Sequence, residues 1–290
     1  MSSGTKTIRI VAGPTASGKS ARALELAGAE NGVVINCDSM QLYDGLPILT
    51  AQPSEEDKAK APHLLYGALH PGDMCSAGDW CKLVRPLIEK TLQEGRTPII
   101  VGGTGLYIKA LMEGLSPIPE IPEEIRQAAE ALQRELGNPA FHAALGKRDP
   151  VMAQRLHPSN TQRLVRAWEV LEHTGRSLAE WQSLDKVAPP AHWNFEVEII
   201  MPEREELYRR CDARFLKMMD MGVLDEVKDF SGKLESGEIP ADAPLTKALG
   251  FTHLRRYLAG DITQGEAIAL SQLDTRRYAK RQVTWFRNQL

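Results

Sequence analysis

Residues 13–20 read GPTASGKS, and the β-branched and apolar run TIRIVAG leads straight into them. A G-x-x-x-x-G-K-[ST] segment between a buried strand and a helix closes a loop whose successive N–H groups face one anion. Gly13, Pro14, Thr15, Ala16, Ser17, Gly18, Lys19 and Ser20 therefore form the candidate phosphate site. Lys19 adds a point charge, and the Ser20 hydroxyl is the candidate ligand for Mg²⁺. A chance glycine-rich turn would not combine the strand before, the helical KSARALELAGAE after, and the full spacing. The loop points to α/β architecture. It leaves the carrier of the phosphate open: an ATP that gives up a phosphoryl group, or a diphosphate that only has to leave.

The following segments agree with that start. GVVINCDSMQ reads as a second strand ending in a polar turn, WCKLVRPLIEKTLQEGR as an amphipathic helix, and TPIIVGGTGLYIKALMEG as strand, turn and helix. This alternation predicts a parallel sheet flanked by helices, with ligands at the carboxyl ends of the strands. Three prolines in GLSPIPEIPEE then break regular structure, and every segment from there to Pro189-Pro190 has a helical pattern. FEVEIIMP resumes strand character, and REELYRRCDARFLKMMDMGVLDEVKDF opens a helical remainder. The expected organisation is a P-loop-type core of residues 1–115 and 191–290, with an all-helical lobe inserted at 116–190.

Composition serves mainly to exclude. No apolar run approaches the roughly 20 residues that span a bilayer, and MSSGTKTIRIVAGP lacks the apolar core of a secretory signal. No membrane role and a cytoplasmic location are expected. Cys37, Cys75, Cys81 and Cys211 contain no C-x-x-C pair, which fits free thiols better than zinc or disulfides. The seven histidines are scattered without metal-ligand spacing. A net charge of -3 argues against nucleic-acid binding by the whole surface, but the positive charge is clustered. One cluster is Lys147, Arg148, Arg155, Arg163, Arg166 and Arg176, set against three acids. The other is Arg276, Arg277, Lys280, Arg281 and Arg287, set against one.

VVINCD ends at Asp38. In a P-loop kinase or ATPase an acid at such a strand end holds Mg²⁺. It could equally take a proton from an amine, with Ser39, Met40 and Gln41 beside it to meet a nucleobase. The residues alone do not separate these roles.

Taken in order, GPTASGKS, DSMQLYDGLPILTAQP, GGTGLYIKALMEG, NTQRLVRAWEV, KALGF and DTRRYAKRQVTWFR resemble the tRNA dimethylallyltransferases over nearly the whole chain. That resemblance implies transfer of a dimethylallyl group from dimethylallyl diphosphate to the exocyclic N6 of the adenosine just 3′ of the anticodon, in tRNAs reading codons that begin with U. The phosphate is then a leaving group. The resemblance makes Asp38 the general base and puts Thr104 near the diphosphate and acceptor, with Lys19 and Arg214 on the diphosphate and Mg²⁺ as cofactor. It also implies contact of the tRNA anticodon arm with Asp38, Ser39, Met40, Gln41 and Thr104. Further contacts are implied at Arg126, Gln162, Arg163, Leu164, Val165, Arg166, Lys247, Lys280 and Arg281. Ser20 stands where the family often has threonine, and both hydroxyls can ligate Mg²⁺. A monomer with no obligate protein partner is expected.

Two other enzymes share parts of this pattern. A small kinase would explain the loop and Asp38 but has no need of QRLVR or the basic tail. An adenylate isopentenyltransferase would share the loop and carboxylate while lacking much of the insert. A purely RNA-binding module would leave the phosphate loop unexplained. In the C-terminal RRYAKRQVTWFR a mixed role is expected: Tyr278, Trp285 and Phe286 packing inward, and some basic groups on RNA.

Overall fold

The structure, a computed structural model, describes residues 5–290, so the first four residues of the N-terminal stretch read above lie outside it. The chain divides into two compact units, one running to Met112 and resuming at Pro190, the other Glu113–Pro189.

In the first unit β1 (Lys6–Ala12) leads to α1 (Lys19–Ala29), β2 (Gly32–Asn36), α2 (Glu55–Lys60) and β3 (His63–Leu64). Then come α3 (Ala77–Gln93), β4 (Thr97–Gly102) and α4 (Gly105–Glu113). With β5 (Trp193–Ile199) the strands form one parallel sheet in the order β3-β2-β4-β1-β5. All five residues of β2 are buried, as are all of β4 after Thr97, which is why both read as unbroken apolar runs. β5 is an edge strand, and its outward glutamates meet α1 and β1: Glu198 pairs with Arg22 at 3.0 Å, and Glu196 pairs with Arg9. Ala23 and Ala27 of α1 pack on Val11, Val34, Ile99 and Val101. The strand order sets the carboxyl ends of β2, β4 and β1 side by side.

The second unit is all helical: α5 (Glu123–Arg148), α6 (Pro150–Arg155), α7 (Thr161–Thr174) and α8 (Leu178–Ser183). Its entry and exit pair with each other, Val187 N–H donating to the Leu115 carbonyl at 2.9 Å and Lys186 meeting Glu113 at 2.5 Å. The unit therefore begins before the proline cluster. α5 is bent at Gly137, whose φ of 69° and ψ of 162° are not helical, and Pro139 follows. Phe141, Leu145, Leu164 and Val170 are completely buried at its centre.

After β5 the first unit ends with α9 (Arg204–Asp220), α10 (Val223–Glu235), a 3₁₀ turn at Pro244–Lys247, α11 (Phe251–Leu258) and α12 (Gln264–Gln289). Thr263 and Glu266 form a reciprocal capping box at the start of α12. Ala267, Ser271, Thr275, Ala279, Gln282 and Phe286 are its buried stripe, at helical spacing. All four cysteines are free. Among the described residues no helix is long and apolar enough to cross a membrane.

Candidate active site

Three loops at the carboxyl edge of the sheet build the site. After β1, Gly13 turns so tightly that a Cβ would lie 2.5 Å from the Ile200 carbonyl oxygen and 2.8 Å from Ser17 Oγ. Ala16 takes a left-handed φ of 61°, a conformation that costs a non-glycine residue about 1–3 kcal/mol and concentrates at functional sites. Gly18, at φ 98°, leads into α1. Ser17 Oγ is buried with no hydrogen-bond partner. Lys19 Nζ donates to the Pro14 carbonyl at 3.3 Å, and burial pushes its pKa down to about 8, against the pull of Asp38 and with a smaller push from Arg214. Two cations and an acid thus lie close enough to feel one another.

α9 brings Arg214 to this loop. Its Nη2 donates to Thr15 Oγ1 at 2.5 Å, and burial lowers its pKa while Cys211 and Asp38 raise it. Arg210 donates to the Ser17 carbonyl at 3.2 Å and pairs with Glu206 at 2.6 Å.

After β2, the fully buried Asn36 shapes the turn that carries Asp38. Its Oδ1 accepts from Asp38 N–H at 2.8 Å, and its Nδ2 donates to the carbonyls of Asp38 at 3.0 Å and Leu65 at 2.9 Å. Asp38 Oδ1 accepts from Met40 N–H at 3.1 Å. Its second oxygen has no hydrogen-bond partner among the described residues. After β4, a Cβ on Gly102 would lie 2.0 Å from the Cys37 carbonyl oxygen, a contact only glycine permits. That close approach lets Thr104 N–H donate to the Cys37 carbonyl at 3.2 Å and Thr104 Oγ1 accept from Ser39 N–H at 3.0 Å.

A cleft of about 220 Å³ opens over these loops. It gathers Thr15, Asp38, Met40, Arg214, Lys247 and Arg281 of the expected residues, with Leu49, Phe215, Met218 and Leu249 as apolar wall. Thr104 and Ser39 stand behind this lining, bonded to each other. Gln41 does too. Its Nε2 donates to the carbonyls of Thr50 and Ala51, both at 2.8 Å, and so ties down the loop that bears Leu49. Glu226 fastens the same loop by accepting from Ile48 N–H at 2.7 Å and Leu49 N–H at 2.9 Å. Lys280 is exposed and lies outside the cleft lining.

In the helical unit Gln162 and Arg163 are exposed on α7, but Leu164 and Val165 are not available to RNA. Leu164 is 0% and Val165 8% exposed, because both belong to the apolar stripe of α7 that packs on α5. The tRNA contact expected of their side chains is corrected accordingly. Arg166 and Arg126 converge on Glu169, 4% exposed, at 2.5 and 3.7 Å. Arg163 has no ion-pair partner among the described residues.

Asn36, Glu169, Glu226 and Gln282 carried no expectation from sequence. Gln282 left one usable signal, a polar residue on the buried stripe of a basic helix. Asn36 and Glu169 left local signals as well, a side-chain acceptor two residues before Asp38 and an acid one helical turn after Arg166, whereas the contacts of Glu226 with Ile48 and Leu49 are announced by no local pattern.

The Ser20 hydroxyl, exposed at the second residue of α1, is a hard oxygen donor with no partner among the described residues, which suits Mg²⁺. No group of three or more His, Cys, Asp or Glu among the described residues could hold a metal unaided. Most ligands of such an ion would have to be diphosphate oxygens and water.

A model of the IPP transferase family matches residues 41–289. The tRNA dimethylallyltransferase of Rhodospirillum centenum is 49% identical over 286 residues, covering 99% of this chain and 90% of that protein. The tRNA dimethylallyltransferase of Paramagnetospirillum magneticum is 52% identical over 282 residues, 97% of this chain and 88% of that protein. Among solved structures, the tRNA isopentenylpyrophosphate transferase of Bacillus halodurans aligns with TM-score 0.66 and 37% identity over 98% of this chain and 88% of that one. A eukaryotic dimethylallyltransferase acting on tRNA aligns with TM-score 0.81 and 26% identity, over 97% and 70% of the two chains. The chain belongs to the IPP transferase family, that of the tRNA dimethylallyltransferases.

Proposed function

We propose that this protein transfers a dimethylallyl group from dimethylallyl diphosphate to the exocyclic N6 of the adenosine 3′-adjacent to the anticodon, in tRNAs reading codons that begin with U, releasing diphosphate. The observation that carries the reading is one cleft lined by Asp38 together with Thr15 and Arg214.

The N6 lone pair is delocalised into the adenine ring, so the amine is a poor nucleophile. Asp38, with one oxygen free, takes the N6 proton as the N6–carbon bond forms, worth about 10²–10⁴-fold in rate. The allylic carbon–oxygen bond breaks as that bond forms, and the electron pair leaves on the diphosphate. Lys19, Arg214 and the loop N–H groups meet the developing negative charge. Ser20 would hold Mg²⁺, which neutralises part of that charge when bound. The adenine must leave its stack, at a cost of a few kcal/mol that is smallest in a single-stranded loop. Leu49, Phe215 and Met218 offer an apolar wall to the isoprenoid and exclude water.

Arg126, Arg163 and Arg166 of the helical unit are proposed to grip the anticodon arm, with Lys247 and Arg281 at the cleft. Action as a monomer is part of this reading. A tRNA substrate supports a cytoplasmic location. Incubation with labelled dimethylallyl diphosphate and total tRNA, followed by nucleoside analysis, should yield N6-dimethylallyl adenosine. Label in phosphorylated product from a parallel ATP reaction, with no prenylated nucleoside, would favour the kinase reading.

A further inference from the structure

Helix α12 sends one buried polar side chain, Gln282, between the phosphate loop and the turn after β4; it is 6% exposed. Gln282 Oε1 accepts from Thr15 N–H at 2.8 Å, and its Nε2 donates to the Gly103 carbonyl at 3.0 Å. Both amide ends are used in the one orientation that satisfies them: the opposite flip would set carbonyl against carbonyl and N–H against N–H. Gly103 is shaped around this amide, since a Cβ there would lie 2.4 Å from Gln282 Nε2.

The links continue on either side. Thr15 Oγ1 accepts from Arg214, and Thr104, next to Gly103, accepts from Ser39 N–H beside Asp38. A polar chain therefore runs from Arg214 and Thr15, through one glutamine amide, to Gly103, Thr104 and the turn that carries Asp38. Docking of α12 does not require an amide at this position. Ala279 and Phe286 on the same stripe are already 0% and 1% exposed.

We propose that Gln282 is a positioning residue that couples the donor loop to the acceptor-activating loop. It fixes the separation of Thr15 and Gly103, so that diphosphate and acceptor amine meet in register. Small misplacements of reacting groups cost large rate factors, which is what such a tie prevents. Naming the two ligands rests on the prenyl-transfer reading; the tie itself does not.

The test uses full-length Gln282→Leu and Gly103→Ala, singly and combined. It reads kcat, KM for dimethylallyl diphosphate, calorimetric affinity for inorganic pyrophosphate, tRNA affinity and melting temperature. Each single variant should weaken pyrophosphate binding and raise the donor KM by about tenfold, the scale of leaving a buried N–H unpaired. kcat should fall as well, while tRNA affinity stays within about twofold. The combined variant should be little worse than the worse single one, because the same tie is broken twice. Unchanged pyrophosphate affinity and donor KM in a folded Gln282→Leu protein would overturn the proposal, as would fully additive losses. Should Gln282→Leu fail to fold, Gly103→Ala displaces the amide from the other side and decides the question alone. Wild-type protein that binds pyrophosphate but prenylates no tRNA would refute the functional reading, not this one.

Discussion

Arg214 donates a 2.5 Å hydrogen bond to the Thr15 hydroxyl across 199 residues of sequence, tying helix α9 to the phosphate loop. The loop itself thus orients a cation at the cleft, which in the proposed reaction would face the departing charge. One Nη2 donor is spent on this bond, and among the described residues the other guanidinium donors have no hydrogen-bond partner, so in the proposed reaction they would be available to diphosphate oxygens. Arg214→Lys keeps the charge but loses the planar fork, so kcat/KM for dimethylallyl diphosphate should fall by about 10²-fold. Arg214→Ala should fall further, with tRNA affinity unchanged in both. Steady-state kinetics beside filter binding check this, and a near-normal rate in the lysine variant would show that charge alone suffices.

Lys19 sets a pH dependence. Burial pushes its pKa down to about 8, so above that pH the free protein loses a cation from the loop. Donor capture, read as kcat/KM for dimethylallyl diphosphate, should decline as pH rises through about 8. A bound diphosphate favours the ammonium, so kcat should hold to higher pH. Stability runs the other way. Between about 8 and the ordinary value of 10.5 the unfolded chain binds a proton that the folded chain does not, so the Lys19 contribution to stability rises with pH. A decline of the same size and midpoint in Lys19→Arg would assign the titration to another group.

Asp38→Asn separates binding from proton transfer. The asparagine carbonyl can still accept from Met40 N–H, and the Asn36 bonds to the backbone of position 38 do not need the carboxylate. The turn should persist, tRNA should bind, and single-turnover transfer should slow by about 10²–10⁴-fold. Near-normal transfer would remove Asp38 as the base.

The phosphate loop, the strand ends and the inserted helices were legible because each rests on local spacing. The unbroken apolar runs of β2 and β4 are set by burial on both faces, and the loop glycines by conformations that a side chain would block. The cleft was not legible in the same way. Leu49, Phe215 and Met218 line the same cleft as Asp38 only through tertiary packing, and the roles of Thr104, Arg214 and Lys247 rested on resemblance. QRLVR was read as a uniform contact segment, although Leu164 and Val165 fall on the inward stripe of α7 and only their neighbours reach solvent. Gln41 shows the converse: the Nε2 of a polar side chain three residues from Asp38 is spent on the backbone of its own loop.

Glu169 gives the arginines of the helical unit different tasks. It is buried, and Arg166 and Arg126 are its partners at 2.5 and 3.7 Å, whereas Arg163 is exposed. Arg163→Ala should weaken tRNA binding and reduce the slope of log affinity against log salt by about one, leaving the melting temperature unchanged. Arg126→Ala combined with Arg166→Ala removes two cations proposed to meet RNA and also strands a buried carboxylate. That pair should cost stability as well, about 1–3 kcal/mol, toward the low end because the Arg166 side chain is 40% exposed and screened. Adding Glu169→Gln should recover most of the stability but none of the affinity. Denaturant unfolding and filter binding across a salt series measure the two effects separately. Recovery of tRNA affinity in the triple variant would mean that Arg126 and Arg166 serve the fold of the helical unit rather than its grip on RNA.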